Sequence, residues 1–145
     1  MKLKKELSNA ILIFFGIGIY FLIMDLLGLS NLYYLRALNA LIVMYGVSKT
    51  IKSNISEGKT TYLKNFASGM LTSVFAVVLS IIGLRIYVMF KGGKAYLEQL
   101  AEVIVFGKGA SINDYSIGLL FEGIASSVII VFITMHYWNS KFVAD

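Results

Sequence analysis

Four stretches of the chain stay apolar for longer than a soluble helix needs, and polar residues collect between them. They run from about Asn9 to Leu29, Leu32 to Ser48, Phe66 to Phe90 and Tyr115 to Trp138. Each falls in the range of about 17–25 residues that carries a helix across a hydrocarbon core. "LGLSN", ending at Asn31, leaves only a tight turn between the first two spans, so they are expected to form an antiparallel hairpin. "SKTIKSNISEGKTTYLKN" joins the second to the third, with Glu57-Gly58 as its turn and Thr60 or Thr61 opening the next helix. Lys91 to Asp114 joins the third to the fourth. Inside it, "KAYLEQLAEVIVF" puts Leu97, Leu100, Ala101 and Ile104 on one helical face and Glu98, Gln99 and Glu102 on the other. That pattern predicts a short amphipathic helix lying on the outer leaflet. "GKGASIND" follows, with Asn113 or Asp114 as the expected cap of the fourth span. Its glycines, Gly107 and Gly109, make no phosphate-binding loop, because no strand precedes them.

The fold expected from this pattern is an all-α membrane protein: one domain over 1–145, with four transmembrane helices in an antiparallel bundle. Composition agrees. Hydrophobic residues make up 58% of the chain and charged ones 14%, with a mean hydropathy of +0.79. An ordinary soluble chain is about 25% charged. The first span has a basic start at Lys2, Lys4 and Lys5 and small residues near Gly28 and Ser30, as a signal peptide would. Its apolar run is too long for a signal core, so an uncleaved span is expected.

Several chemistries drop out. The absence of cysteine removes disulfides, thiolate metal sites and cysteine nucleophiles. His136, the single histidine, makes no metal site alone, and no cofactor is expected. Without proline, nothing predicts a kinked or broken helix except at glycine.

The loop charges give the orientation. The N-terminus, the second loop and the C-terminus carry eight lysines (2, 4, 5, 49, 52, 59, 64 and 141) against Glu6, Glu57 and Asp145. On the other side Lys91, Lys94 and Lys108 are balanced by Glu98, Glu102 and Asp114. Lysine excess marks the cytoplasmic side, so both termini are expected there. Aromatic residues flank the spans as interfacial belts do: Tyr33, Tyr34, Tyr87, Phe90 and Tyr115 outside, Tyr45, Tyr62, Phe66, Tyr137 and Trp138 inside. The net charge of +5 then reads as orientation and attraction to anionic lipid rather than nucleic-acid binding.

Four charges remain within the spans: Asp25, Arg36, Arg85 and Glu122. Each costs at least about 2.5–3.5 kcal/mol in hydrocarbon. They are therefore expected to pair, or to reach water, in the outer half of the bundle. Asp25 and Arg36 sit symmetrically about the first turn, which points to a pair. Arg36 and Arg85 are also long enough to reach the interface. Glu122 lies roughly 10 Å below Tyr115 at 1.5 Å per residue and is the deepest. Asn39 supports the cluster from the Arg36 face of the second helix, on a stripe that continues through Val43 and Gly46. Gly18 shares a face with Asp25. Small residues at Gly69, Ser73, Ala76, Ser80 and Gly83, and at Gly123 and Ser127, let helices approach closely in lipid, within one bundle or between two copies.

Between about Leu41 and Phe90, "YGVSKTIKSNISEGKTTYLKNFASGMLTSVFAVVLSIIGLRIYVMF" has a glycine-tipped basic loop, an aromatic amphipathic turn, and an F-x-x-G opening at Phe66 and Gly69. With "GIASSVIIVFI" in the last span, it resembles a domain-of-unknown-function family of small four-span inner-membrane proteins of Bacteroidetes-type bacteria. The resemblance implies four spans and a bacterial inner membrane, and no activity.

Two functions follow from these residues. One is a non-enzymatic membrane subunit or scaffold whose surfaces contact lipid, a second copy or another membrane protein. The other is a small oligomeric transporter or channel with Glu122 as a proton or cation site. An enzyme is disfavoured, since His136 sits a bilayer away from the buried carboxylates and no His–acid pair assembles.

Overall fold

The computed structural model describes residues 3–30, 32–101 and 111–142. Six α-helices follow one another: α1 (Lys4–Leu26), α2 (Tyr33–Arg36), α3 (Asn39–Ser56), α4 (Tyr62–Lys91), α5 (Lys94–Ala101) and α6 (Ile112–Tyr137), with a 3₁₀ turn at Asn139–Lys141. There is no strand among the described residues. Helices α1, α4 and α6 are long and apolar enough to cross a membrane. They are apolar nearly all round, and outward-facing Phe15, Ile19, Phe90, Phe121 and Phe132 are well exposed. Such a surface suits lipid rather than water as the solvent. The fourth long helix, α3, is less apolar, because it runs on past Ser48 through Lys49 and Lys52 to Ser56.

Side-chain contacts fix the directions. Glu6 meets Ser68 and Asp25 meets Tyr87, so α1 and α4 run parallel. Asn9 meets Thr50 and Ile13 lies against Gly46, so α3 runs antiparallel to α1. Val131 lies against Gly69 and Val77 against Gly123, which makes α6 antiparallel to α4. Helices α1 and α6 each pack on α3 and α4 but not extensively on each other. Ala10, Ile13, Val47, Ala76, Val131 and Met135 are all at most 1% exposed and form one apolar core cluster.

Three sequence expectations change. The second span is not one helix: it breaks at Ala37–Leu38, with neither proline nor glycine present. The cause is a side chain entering the backbone ladder. The Tyr20 hydroxyl donates to the Leu35 carbonyl at 2.8 Å, and the bonds around the break shorten to i→i−3. The last helix is capped not by Asn113 or Asp114 but by Ser111, whose hydroxyl takes the Asp114 amide while Asp114 reaches back, a reciprocal capping box. The amphipathic segment does not lie free on a leaflet. Leu97 and Leu100 of α5 are buried against Val88 and Tyr115. Glu102, Ile104, Gly107, Lys108 and Gly109, like Lys2, Asn31 and Asp145, lie outside the described residues.

Close helix contact depends on particular glycines. A methyl group at Gly46 would overlap the side chain of Ile13, itself fully buried, whereas one at Gly18 would meet nothing within 4 Å. Gly46→Ala is therefore expected to destabilise the bundle by about 1–3 kcal/mol. Gly18→Ala, relieved of glycine's backbone entropy, should be neutral or stabilising by up to about 1 kcal/mol. Denaturant titration of the two variants in detergent checks the contrast; equal effects would contradict the packing.

Candidate functional site

The spans' four charges collect at the end of the bundle that carries the Gly28 and Gly92 turns, but not as one cluster. Arg36, at the end of α2, pairs with Glu122 of α6 at 3.5 Å. The broken second helix positions it there, since the i→i−3 step turns α2 relative to α3. Asp25 does not pair with Arg36. Its carboxylate accepts from the hydroxyls of Tyr87 (2.5 Å) and Tyr96 (2.9 Å) and lies 3.4 Å from the Lys91 ammonium. Burial, then the Asp25 carboxylate, push the Tyr96 hydroxyl far above its ordinary range, so it remains a donor. Arg85 donates to the Ser116 hydroxyl at 3.3 Å and, with Asn113, lines a groove that none of the other three charges lines.

Between α1, α3, α4 and α6 at this end lies a cavity of about 560 Å³. Its walls are mainly apolar, with Phe14, Ile17, Phe21 and Val77 among them, and Arg36 and Glu122 both line it. Two further lining groups, the side-chain oxygen of Asn39 and the Ser80 hydroxyl, are buried without a hydrogen-bond partner. The space exists because α1 and α6 do not close on each other, and because Gly18 puts no side chain into it. The pocket thus combines apolar walls with one cation, one anion and two unpaired polar groups.

The opposite end, with the Gly58 turn, carries a polar core that the sequence reading missed. Asn9, Thr50, Asn54, Asn65, Ser68, Thr72 and Ser73 are all buried, and with them Glu6 at 2% exposure. The Ser68 hydroxyl donates to Glu6 at 2.6 Å, Asn9 donates to Thr50 at 2.9 Å, and Thr50 and Thr72 share a 3.0 Å hydrogen bond. Lys5 bridges to Asn54 and, at 2.7 Å, to Glu57, which it and Lys59 hold down at about 2. Glu6 had counted only as a loop charge. The signal available was spacing: Glu6 and Asn9, Thr50 and Asn54, and Asn65, Ser68 and Thr72 each recur on one helical face.

Among the described residues no three histidine, aspartate or glutamate side chains converge on a metal position. No protein-family model, curated protein or solved structure matches the chain.

The pairing at the Gly92 end is testable. In a double-mutant cycle, Arg36→Gln and Glu122→Gln should couple by about 1 kcal/mol, the scale measured for interhelical polar contacts in membranes. Arg36→Gln and Asp25→Asn should add to within about 0.5 kcal/mol. Unfolding free energies in detergent give both; coupling to Asp25 instead would misplace Arg36.

Proposed function

We propose that this chain is a non-enzymatic integral membrane protein that seats one zwitterionic phospholipid in the cavity at its Gly92 end. The observation that carries the reading is the cavity itself, an apolar space of about 560 Å³ with Arg36 and Glu122 3.5 Å apart in its lining. An acyl chain suits the walls. A phosphate suits Arg36, and an ammonium suits Glu122. The half-exposed carboxylate of Glu122 and the 3.5 Å separation leave the pair ready to exchange partners with such a headgroup. A charge pair offered to a ligand of both signs discriminates against lipids that carry only one.

Four spans fit this role. If α1 and α4 cross the membrane in parallel, the chain has to return between them, and α3 is the long helix that lies there. Its lysines, Lys49 and Lys52, are exposed and fall in its last two turns, where they would meet headgroups. The lysine bias supports both termini in the cytoplasm, and the family resemblance supports a bacterial inner membrane. A channel is the weaker reading, because fully buried Ile13, Val47 and Ala76, each one turn beyond Asn9, Thr50 and Thr72, fill the bundle between the cavity and the polar Gly58 end. The bound lipid then makes the protein a scaffold or subunit whose outer face is set by its ligand.

The test is lipid retention. Purified protein exchanged into mixed micelles should retain phosphatidylethanolamine over phosphatidylglycerol. Gly18→Leu, which fills the cavity without touching either charge, should lose that lipid while the protein stays folded. Arg36→Gln should lose the preference but keep some lipid. Equal retention by wild type and Gly18→Leu would rule the cavity out.

A further inference from the structure

We propose that the Gly58 end holds a monovalent cation site, of the sodium class, between the Glu6 carboxylate and the Asn65 side-chain carbonyl. Its residues are separate from the lipid cavity, so neither proposal depends on the other.

The starting point is a surplus of acceptors. Glu6 is 2% exposed and Asn65 is fully buried. One carboxylate oxygen of Glu6 takes the Ser68 hydroxyl, while the other, Oε2, is buried with no donor. The Asn65 carbonyl oxygen is buried with no donor either. A mistaken amide orientation does not explain this. Asn65 Nδ2 donates to the backbone carbonyls of Lys59 (2.8 Å) and Thr61 (2.9 Å), and a flipped amide would set its oxygen against both. Asn65 and Ser68 are three residues apart on α4, hence on one face, and Ser68 brings Glu6 to that face. The two unsatisfied oxygens, one of them from a carboxylate, thus belong to side chains at adjacent turns of that one α4 face.

Among the described residues no cation fills the deficit. Lys5, the nearest in sequence, is drawn off to Asn54 and Glu57. Lys59 is drawn to Glu57 as well. Lys49, Lys52 and Lys64 are exposed. A buried carboxylate without a counter-charge is costly in an apolar setting. The chemistry of the ligand follows from the donors. All are oxygens, which selects a hard cation over a soft one. There is one carboxylate, so a single positive charge neutralises the site, whereas a divalent ion would leave a buried positive charge.

The site also ties elements together. Glu6 belongs to α1, Ser68 to α4, and Asn65 holds the turn before α4 through Lys59 and Thr61. A bound ion would lock the entry of α4 against the first turns of α1.

The experiment is equilibrium binding of radioactive sodium to the purified full-length protein in detergent, at constant ionic strength with choline as the balancing cation. One sodium per chain is expected. Ser68→Ala, which leaves both ligands but removes the hydrogen bond that orients Glu6, should weaken binding about tenfold. Glu6→Gln should abolish it, and Glu98→Gln, an exposed carboxylate at the opposite end, should leave it unchanged. If Glu6→Gln fails to fold, Ser68→Ala decides. No sodium bound by the wild type, with a water molecule donating to both oxygens instead, overturns the proposal. Affinity unchanged in Ser68→Ala or Glu6→Gln overturns it too.

Discussion

Apolar surroundings leave a polar side chain no partner but another polar group, and this bundle is arranged around that constraint. The long helices are greasy on nearly every face, so hydrophobicity alone does not say which faces meet. The polar contacts do. Glu6 with Ser68 and Asp25 with Tyr87 pin α4 along α1 at both ends. Asn9 with Thr50 and Thr50 with Thr72 place α3 between them. Arg36 with Glu122, and Trp138 with Ser48, bring α6 onto the α2–α3 arm. Glycines then set how close the backbones come, because van der Waals contact rather than water exclusion holds helices together in lipid.

The result is a molecule with two chemically distinct ends and a dry middle. At the Gly92 end the helices splay and leave space, and charges face that space. At the Gly58 end they close and the polar groups are locked into one another. Fully buried Ile13, Val47 and Ala76 lie between the two. That division makes the closed end the natural anchor, since the hydrogen bonds there are shielded while the pair of Arg36 and Glu122 is partly open.

Much of the architecture was legible in the chain. Helix content and the existence of long apolar segments follow from hydropathy, and the small-residue positions Gly69, Gly83 and Gly123 are indeed where helices touch. What escaped was decided by tertiary partners. The break at Ala37–Leu38 needs the Tyr20 hydroxyl from another helix, which no local pattern at the break announces. Asp25 and Arg36 looked symmetric about a turn, yet Tyr87 and Lys91 from α4 and Tyr96 from α5 reach Asp25 first. Glu6 was misjudged for a simpler reason. A carboxylate flanked by lysines reads as a solvated loop charge, and only the pitch of Glu6 and Asn9, matched to Asn65, Ser68 and Thr72, hints that it turns inward.

Because the chain has no cysteine of its own, single cysteines report directly on which side of the membrane each turn lies. In intact cells, an impermeant thiol reagent is expected to label Ser30→Cys and Ser111→Cys, and to label Ser56→Cys only after the membrane is opened. That result would require α3 to cross between α1 and α4, so that its polar face meets theirs inside the bilayer. Labelling of Ser30→Cys and Ser56→Cys from the same side would leave α3 outside, and the matched polar contacts with it.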